Sequence, residues 1–438
     1  MDSEKSLPGT SFPSANLFYA SIVISFLIIH LTQDRIAWLA SLVPTFAASG
    51  AFLPKSDWML IYLPSIKGLL FSASIALVAI PAFQNARAIL LTSKARDLIR
   101  SIALAAGSAV LLGLLVFSPG SWDMGLYYSK AALNPFIQNA GWYNTRLLMP
   151  ALAHILFFRG PWLYYAFTMI LTIGFLCLLS SWTKDHLSLP FWQFISLCTS
   201  SFVIFQYQIG GYPDILVFIF FILVMREDFN ENARLSLLLL ALVTFEASAV
   251  MGVILAWRYL RRRGFVTYVL AVMVYLLIWF AVSGFNMNVI LTSHNVVTPG
   301  FEWLLRTAAK ELLGLFIAYK ALWALIVFGI VLALRQKRFA DALFITGSIL
   351  GGISMTVIAL DTSRLMGFAF PGLLVALSVI AQTIADKLAR RTFVTTFIIN
   401  LIIPSFYQGL NTGIRWSPGI YKLLYSWIPV LAKKLISG

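Results

Sequence analysis

Long apolar runs alternate with short polar and basic stretches along this chain, and the run lengths predict membrane-crossing helices. At 1.5 Å per residue, about 20 apolar residues are needed to cross a hydrocarbon core of roughly 30 Å. Apolar runs of about 15–26 residues occupy 17–31, 36–53, 58–83, 98–117, 161–182, 191–206, 265–283, 312–334, 339–360, 365–385 and 393–407, the first of them short at its polar end. The run at 36–53 is broken by Pro44 and Gly50 and suits the membrane interface. Residues 215–225 and 420–431 are shorter and suit tilted or half-length segments. One stretch, 118–158, departs from this texture. There Asp123, several aromatics, an amide-rich turn and Arg146 precede a short apolar segment at 147–158. That segment would rise only about 18 Å, too little to cross. The stretch therefore reads as a structured loop plus a short helix lying on the membrane.

Composition fixes the class. The 438 residues are 60% hydrophobic and 11% charged, whereas soluble domains carry roughly 25% charged residues. The expectation is an all-α polytopic membrane protein, with roughly 10–13 transmembrane segments including half-helices and an external loop carrying short interfacial helices. It divides into N-terminal membrane segments (1–97), a membrane core with its loop at 118–158 (98–385), and C-terminal segments with a tail (386–438). The net charge of +15 sits in short basic runs between apolar segments, as the positive-inside rule places them. That pattern points to the lipid bilayer as partner and not to nucleic acid. Cys177 and Cys198 lie inside apolar runs and read as packing residues. Residues 1–16 lack a basic region and a clear cleavage site, so no cleaved signal peptide is expected.

Charge also assigns sides. Arg87, Lys94, Arg96 and Arg100 form a cytoplasmic loop, so the next run crosses outward and Asp123 lies outside. Residues 235–257 are long enough for one span, but Arg226 and Arg234 flank one end and Arg258, Arg261, Arg262 and Arg263 the other. A single span would put four arginines outside. A re-entrant pair of half-helices turning near residues 244–248 keeps both flanks inside and places Glu246 at the turn. A tilted span with Glu246 hydrogen-bonded in a bundle is the alternative. On this topology Asp123, Arg146, Asp214, Glu246, Asp361 and Arg364 all fall at or just beneath the outer face.

Each of these residues has two readings. Asp123 can act as a general base or bind a cation, or it can cap the helix it precedes. A metal site would bring a second acid close by, and SWDMG has none. Arg146 can hold a phosphate through parallel hydrogen bonds or anchor the loop at the headgroups. Asp214 follows Pro213 and has the character of a helix N-terminus. Glu246 would be an ionisable group at membrane depth, which is tolerated where it lines a wet cavity or is paired. Asp361 and Arg364 can pair with each other, or Arg364 can face an anionic group with Asp361 holding it. His154 reads as a packed interfacial residue. There is no Walker loop, dinucleotide fingerprint or His/Cys metal spacing.

The segments WDMGLYY (122–128) and RLLMPALA (146–153), the incomplete spans after them and the late DTSR element (361–364) together resemble the GT-C-type glycosyltransferases. The resemblance covers roughly residues 98–385. It implies an integral membrane enzyme, facing outward from a bacterial cytoplasmic membrane, that takes a polyprenyl-phosphate-linked sugar and transfers the sugar to a glycan or lipid acceptor. Asp123 would be the general base, with Arg146, Glu246, Asp214, Asp361 and Arg364 around the substrate phosphate. Inversion at the anomeric carbon would follow from a single displacement. No cofactor is called for, although a divalent cation is compatible with the loop acid. A transporter or flippase of a lipid-linked or small anionic solute, and a polysaccharide polymerase or ligase-like enzyme, are the alternatives.

Overall fold

The computed structural model describes residues 123–133, 135, 146, 148–187, 189–208, 211–282, 312–358, 362–403, 405–408 and 414–416. The segments expected at 17–31, 36–53, 58–83, 98–117 and 420–431, most of the loop turn, and Asp361 lie outside the described residues. In chain order the helices are α1 (Asp123–Leu133), α2 (Leu148–Ile155), α3 (Pro161–His186), α4 (Pro190–Cys198), α5 (Ser201–Gln208), α6 (Asp214–Met225), α7 (Glu231–Thr244), α8 (Ser248–Tyr259) and α9 (Arg262–Val282). After them come α10 (Leu312–Tyr319), α11 (Leu322–Arg335), α12 (Phe339–Ile358), α13 (Thr362–Leu365), a 3-10 turn (Met366–Ala369), α14 (Phe370–Thr383) and α15 (Asp386–Ile402).

The described chain is predominantly helical. Among the described residues, three helices are long and apolar enough to cross a membrane, at Leu163–His186, Phe339–Thr356 and Thr362–Thr383. The bent pair α10–α11 makes a fourth if it counts as one span. Outer faces stay apolar at helical spacing, as with Leu270, Met273 and Leu277 on α9 and Val327, Val331 and Leu334 on α11. Such stripes suit hydrocarbon and not water. Where helices meet, small residues let the backbones approach. A Cβ added at Gly329 of α11 would come within 2.7 Å of Ala376 on α14, and one at Gly372 of α14 within 2.6 Å of Ser348 on α12.

Four segments differ from the plain spans that run length suggests. Residues 235–257 form a hairpin, not one helix. The Arg234 guanidinium at the start of α7 donates to the Tyr259 carbonyl at the end of α8 (3.3 Å), and Glu231 accepts from the Arg261 amide (3.0 Å). Both basic flanks are thus at one end, and the break at Phe245–Ala247 is at the other. The 191–206 run breaks between α4 and α5. Thr199 Oγ1 donates to the Ser196 carbonyl and Ser200 Oγ to the Leu197 carbonyl, and such local bonds compete with the helix ladder. The 312–334 run bends by 81° between α10 and α11, where Lys320 takes a left-handed φ of 51°. Finally, α15 stops at Ile402, and a short antiparallel hairpin pairs Phe406–Gln408 with Ile414–Trp416. Among the described residues the architecture is therefore helical with one small two-stranded addition.

Candidate functional site

The bundle has two chemically distinct ends. At one end Arg226 accepts, through its carbonyl, from Arg234 (2.7 Å), and Asp341 at the start of α12 is clasped by Arg258 and Arg338. Helix α6 runs from Asp214 to Met225, just before Arg226, so Asp214 is at the opposite end. The α7–α8 tip is there too, since fourteen residues of α7 rise about 21 Å from the basic end. Helix α12 climbs away from Asp341 and the chain re-enters at α13, which carries Arg364.

At this second end the expected residues meet. Arg146, just before α2, donates from Nε to both carboxylate oxygens of Glu246 at 3.0 Å and from Nη2 to Oε1. Its Nη1 donates to the Tyr128 hydroxyl of α1 (3.1 Å). The two charged side chains are only 6% and 12% exposed. The Arg146 guanidinium also sits 4.1 Å above the Phe245 ring, so both residues at the hairpin tip grip the same loop residue. Arg364 lies 3.9 Å over Tyr212 and 5.7 Å from Phe245, and its Nε is 3.5 Å from Asp214 Oδ2. Tyr128 and Tyr212 close the ring, their centroids 6.0 Å apart.

The electrostatics are those of a closed, charge-balanced cluster: two guanidiniums, two carboxylates and aromatic faces between them. Burial pushes the Tyr128 phenol up to about 12, against the pull of the Arg146 charge. Burial alone would lower the Arg146 pKa, but the Glu246 carboxylate and the Tyr128 oxygen outweigh it and hold the guanidinium charged above its ordinary range.

Asp214 begins α6 as its sequence suggests, but it is fully buried beside Arg364, so its role extends beyond a helix N-terminus. The nearest described carboxylate to Arg364 comes from α6, and Asp361 lies outside the described residues. Asp123 is the first residue of α1, five positions before Tyr128, or about 7.5 Å along the helix axis. His154 is buried, and its Nδ1 is 2.9 Å from the Ala132 carbonyl, which joins α2 to α1. Glu246 and Asp214 each face a guanidinium, a poor donor set for a divalent cation. Among the described residues no group of three or more His, Cys, Asp or Glu side chains is placed to hold a metal.

The structure adds Tyr128, Tyr212, Phe245 and Lys320 to the residues that the sequence singles out for a role. The first three are aromatics next to, or one turn from, a flagged acid or loop residue. Lys320 was a lone cation inside an apolar run, and such a residue marks a special position. A scan of protein-family models, of curated proteins and of solved structures finds no match to this chain.

Proposed function

We propose that this chain is a multi-pass membrane glycosyltransferase of GT-C type. It transfers a sugar from a polyprenyl-phosphate donor to a glycan or lipid acceptor at the outer face of a bacterial cytoplasmic membrane. One observation carries the reading: Arg146, Glu246, Asp214 and Arg364, distant in sequence, gather around Phe245 beside the helix that Asp123 begins. The Arg146 Nε, Nη1 and Nη2 are all directed at Glu246 and Tyr128, so Arg146 acts as a brace that holds the loop on the hairpin tip. Arg364, stacked on Tyr212, is the arm for the donor phosphate, and Asp214 holds it in place.

The reaction is one displacement. Asp123 takes the proton of the acceptor hydroxyl as its oxygen attacks the anomeric carbon. The bond from that carbon to the phosphate oxygen breaks, and polyprenyl phosphate leaves with the electron pair. The phosphate is a stabilised leaving group, so no general acid is required, and the anomeric configuration inverts. A panel of polyprenyl-phosphate sugars with purified protein in lipid vesicles tests the proposal. Asp123→Asn keeps the protein folded and inserted but lowers transfer by about 10²-fold or more. Full transfer by that variant removes Asp123 from the mechanism.

A second reading, a transporter or flippase of a lipid-linked or anionic solute, draws on the helix breaks between α4 and α5 and between α10 and α11. Movement of a labelled lipid-linked sugar across vesicles with no glycosylated product would favour it.

A further inference from the structure

Lys320 is fully buried at the 81° bend between α10 and α11. Its Nζ donates to two main-chain carbonyls from different helices, Thr199 at the end of α4 (3.2 Å) and Asn400 near the end of α15 (3.0 Å). The Asn400 side chain completes the joint, accepting from the Ala321 amide just after the bend (2.9 Å) and donating to the Ser196 carbonyl (3.4 Å). The Lys320 Nζ supplies donors to carbonyls at helix ends that the helices themselves leave unsatisfied, and irregular backbone inside a bundle needs such partners. The joint therefore locks the α4–α5 break, the α10–α11 break and α15 together.

Two contacts carry that lock forward to the site. The Tyr319 hydroxyl, next to Lys320, donates to the Met366 carbonyl (2.8 Å), two residues past Arg364. On the α5 side, Phe202 packs so closely on Gly367 that an added Cβ there would approach its side chain to 2.9 Å. The 3-10 turn that follows α13 and its Arg364 is thus held from both broken helices at once.

We infer that Lys320 is a positioning residue for Arg364: its Nζ joins the two helix breaks whose neighbours, Tyr319 and Phe202, fix the 3-10 turn Met366–Ala369 that directly follows α13 and its Arg364. The inference rests on the reading of Arg364 as the phosphate arm, so the test has one readout within that reading and one outside it.

The first readout is donor kinetics for Lys320→Met, Tyr319→Phe, Arg364→Lys and the Lys320→Met/Arg364→Lys pair, with polyprenyl-phosphate sugar. A misplaced arm raises the donor KM about tenfold in Lys320→Met while kcat changes by less than roughly threefold. Tyr319→Phe moves KM the same way, and the pair is far from additive. An unchanged KM with a lowered kcat, or full additivity with Arg364→Lys, overturns the inference.

The second readout is thiol labelling. Ser363 is fully buried. In protein carrying Cys177→Ala, Cys198→Ala and Ser363→Cys, position 363 reacts slowly with N-ethylmaleimide. Adding Lys320→Met speeds that reaction about tenfold, because the turn opens more often. Unchanged labelling in folded Lys320→Met protein overturns the inference. If the wild type transfers no sugar, the glycosyltransferase reading fails, and the labelling result still decides whether Lys320 holds the Arg364 turn.

Discussion

Arg146 and Glu246 offer the sharpest test of the site's physical basis. They are a hundred positions apart, nearly excluded from solvent, and joined by hydrogen bonds from both Nε and Nη2. Removing one partner of such a pair leaves an uncompensated buried charge, at a cost of about 3–5 kcal/mol. The Phe245 ring adds roughly 2 kcal/mol to Arg146 in a desolvated setting. Glu246→Leu should therefore destabilise by about 3–5 kcal/mol, and Arg146→Met by somewhat more. In the double variant no charge is stranded, so the loss falls to about 3 kcal/mol, from the Phe245 stack and the Tyr128 hydrogen bond. The two single losses together exceed the double loss by a coupling energy of about 4–8 kcal/mol. Equilibrium unfolding in mixed micelles at low and high salt measures all three variants, and a buried pair should respond little to salt. Small, additive, salt-sensitive effects of less than about 1 kcal/mol each would mean an exposed pair and would refute the brace.

Other outcomes follow from the same geometry. Cysteines placed at 123 and 262 should label from opposite sides of a sealed vesicle. Labelling of both from the same side breaks the assignment of the basic end to the cytoplasm. Asp214→Asn should weaken donor binding about tenfold and destabilise by about 3–5 kcal/mol, because it removes the charge facing a buried guanidinium; a variant with wild-type KM argues against that role. Gly329→Ala should cost about 1–3 kcal/mol, since its Cβ would meet the Ala376 main chain at 2.9 Å. A neutral result there means that α11 and α14 separate easily. The Tyr128 phenol is held above its ordinary value of 10, at about 12. Its contribution to stability is therefore complete below about pH 10 and is lost as pH rises towards 12. Tyr128→Phe should flatten that alkaline limb in a pH series.

Much of the helical framework was legible because bilayer thickness sets run length. The α7–α8 hairpin was legible for a second reason: six arginines could not share a side unless the segment turned back, and Glu246 marked the turn. The bends at Thr199 and Lys320 left no such charge conflict. Their breaks depend on tertiary partners, Asn400 above all, that only the folded chain brings near. The site shows the same division. Arg146, Asp214, Glu246 and Arg364 could each be flagged, because charge is rare in this composition. Their pairing could not be read, since i, i+3 spacing favours Asp361 as the partner of Arg364 while the fold brings Asp214 from another helix.

The breaks explain why the charges are where they are. A continuous helix satisfies its own backbone and can be apolar throughout; an interrupted one exposes carbonyls and amides that must find partners inside the bundle. At the α10–α11 bend the partners are Lys320 and Asn400. At the α7–α8 tip, Glu246 turns outward from the hairpin to the loop arginine. At the 364–369 turn, Tyr319 takes the Met366 carbonyl. Polar residues needed to close a helix break are also those that can touch a polar substrate, so on the proposed function the same interruption would serve both the irregular backbone and the chemistry. Replacing Glu246 by an apolar residue should therefore disturb two properties together, the docking of the 123–155 loop on the hairpin and turnover. Protease protection of that loop, measured beside transfer in the same Glu246→Leu preparation, separates them. Loss of protection with intact turnover would show that the tip serves only the fold, and parallel loss would bind the break to the function.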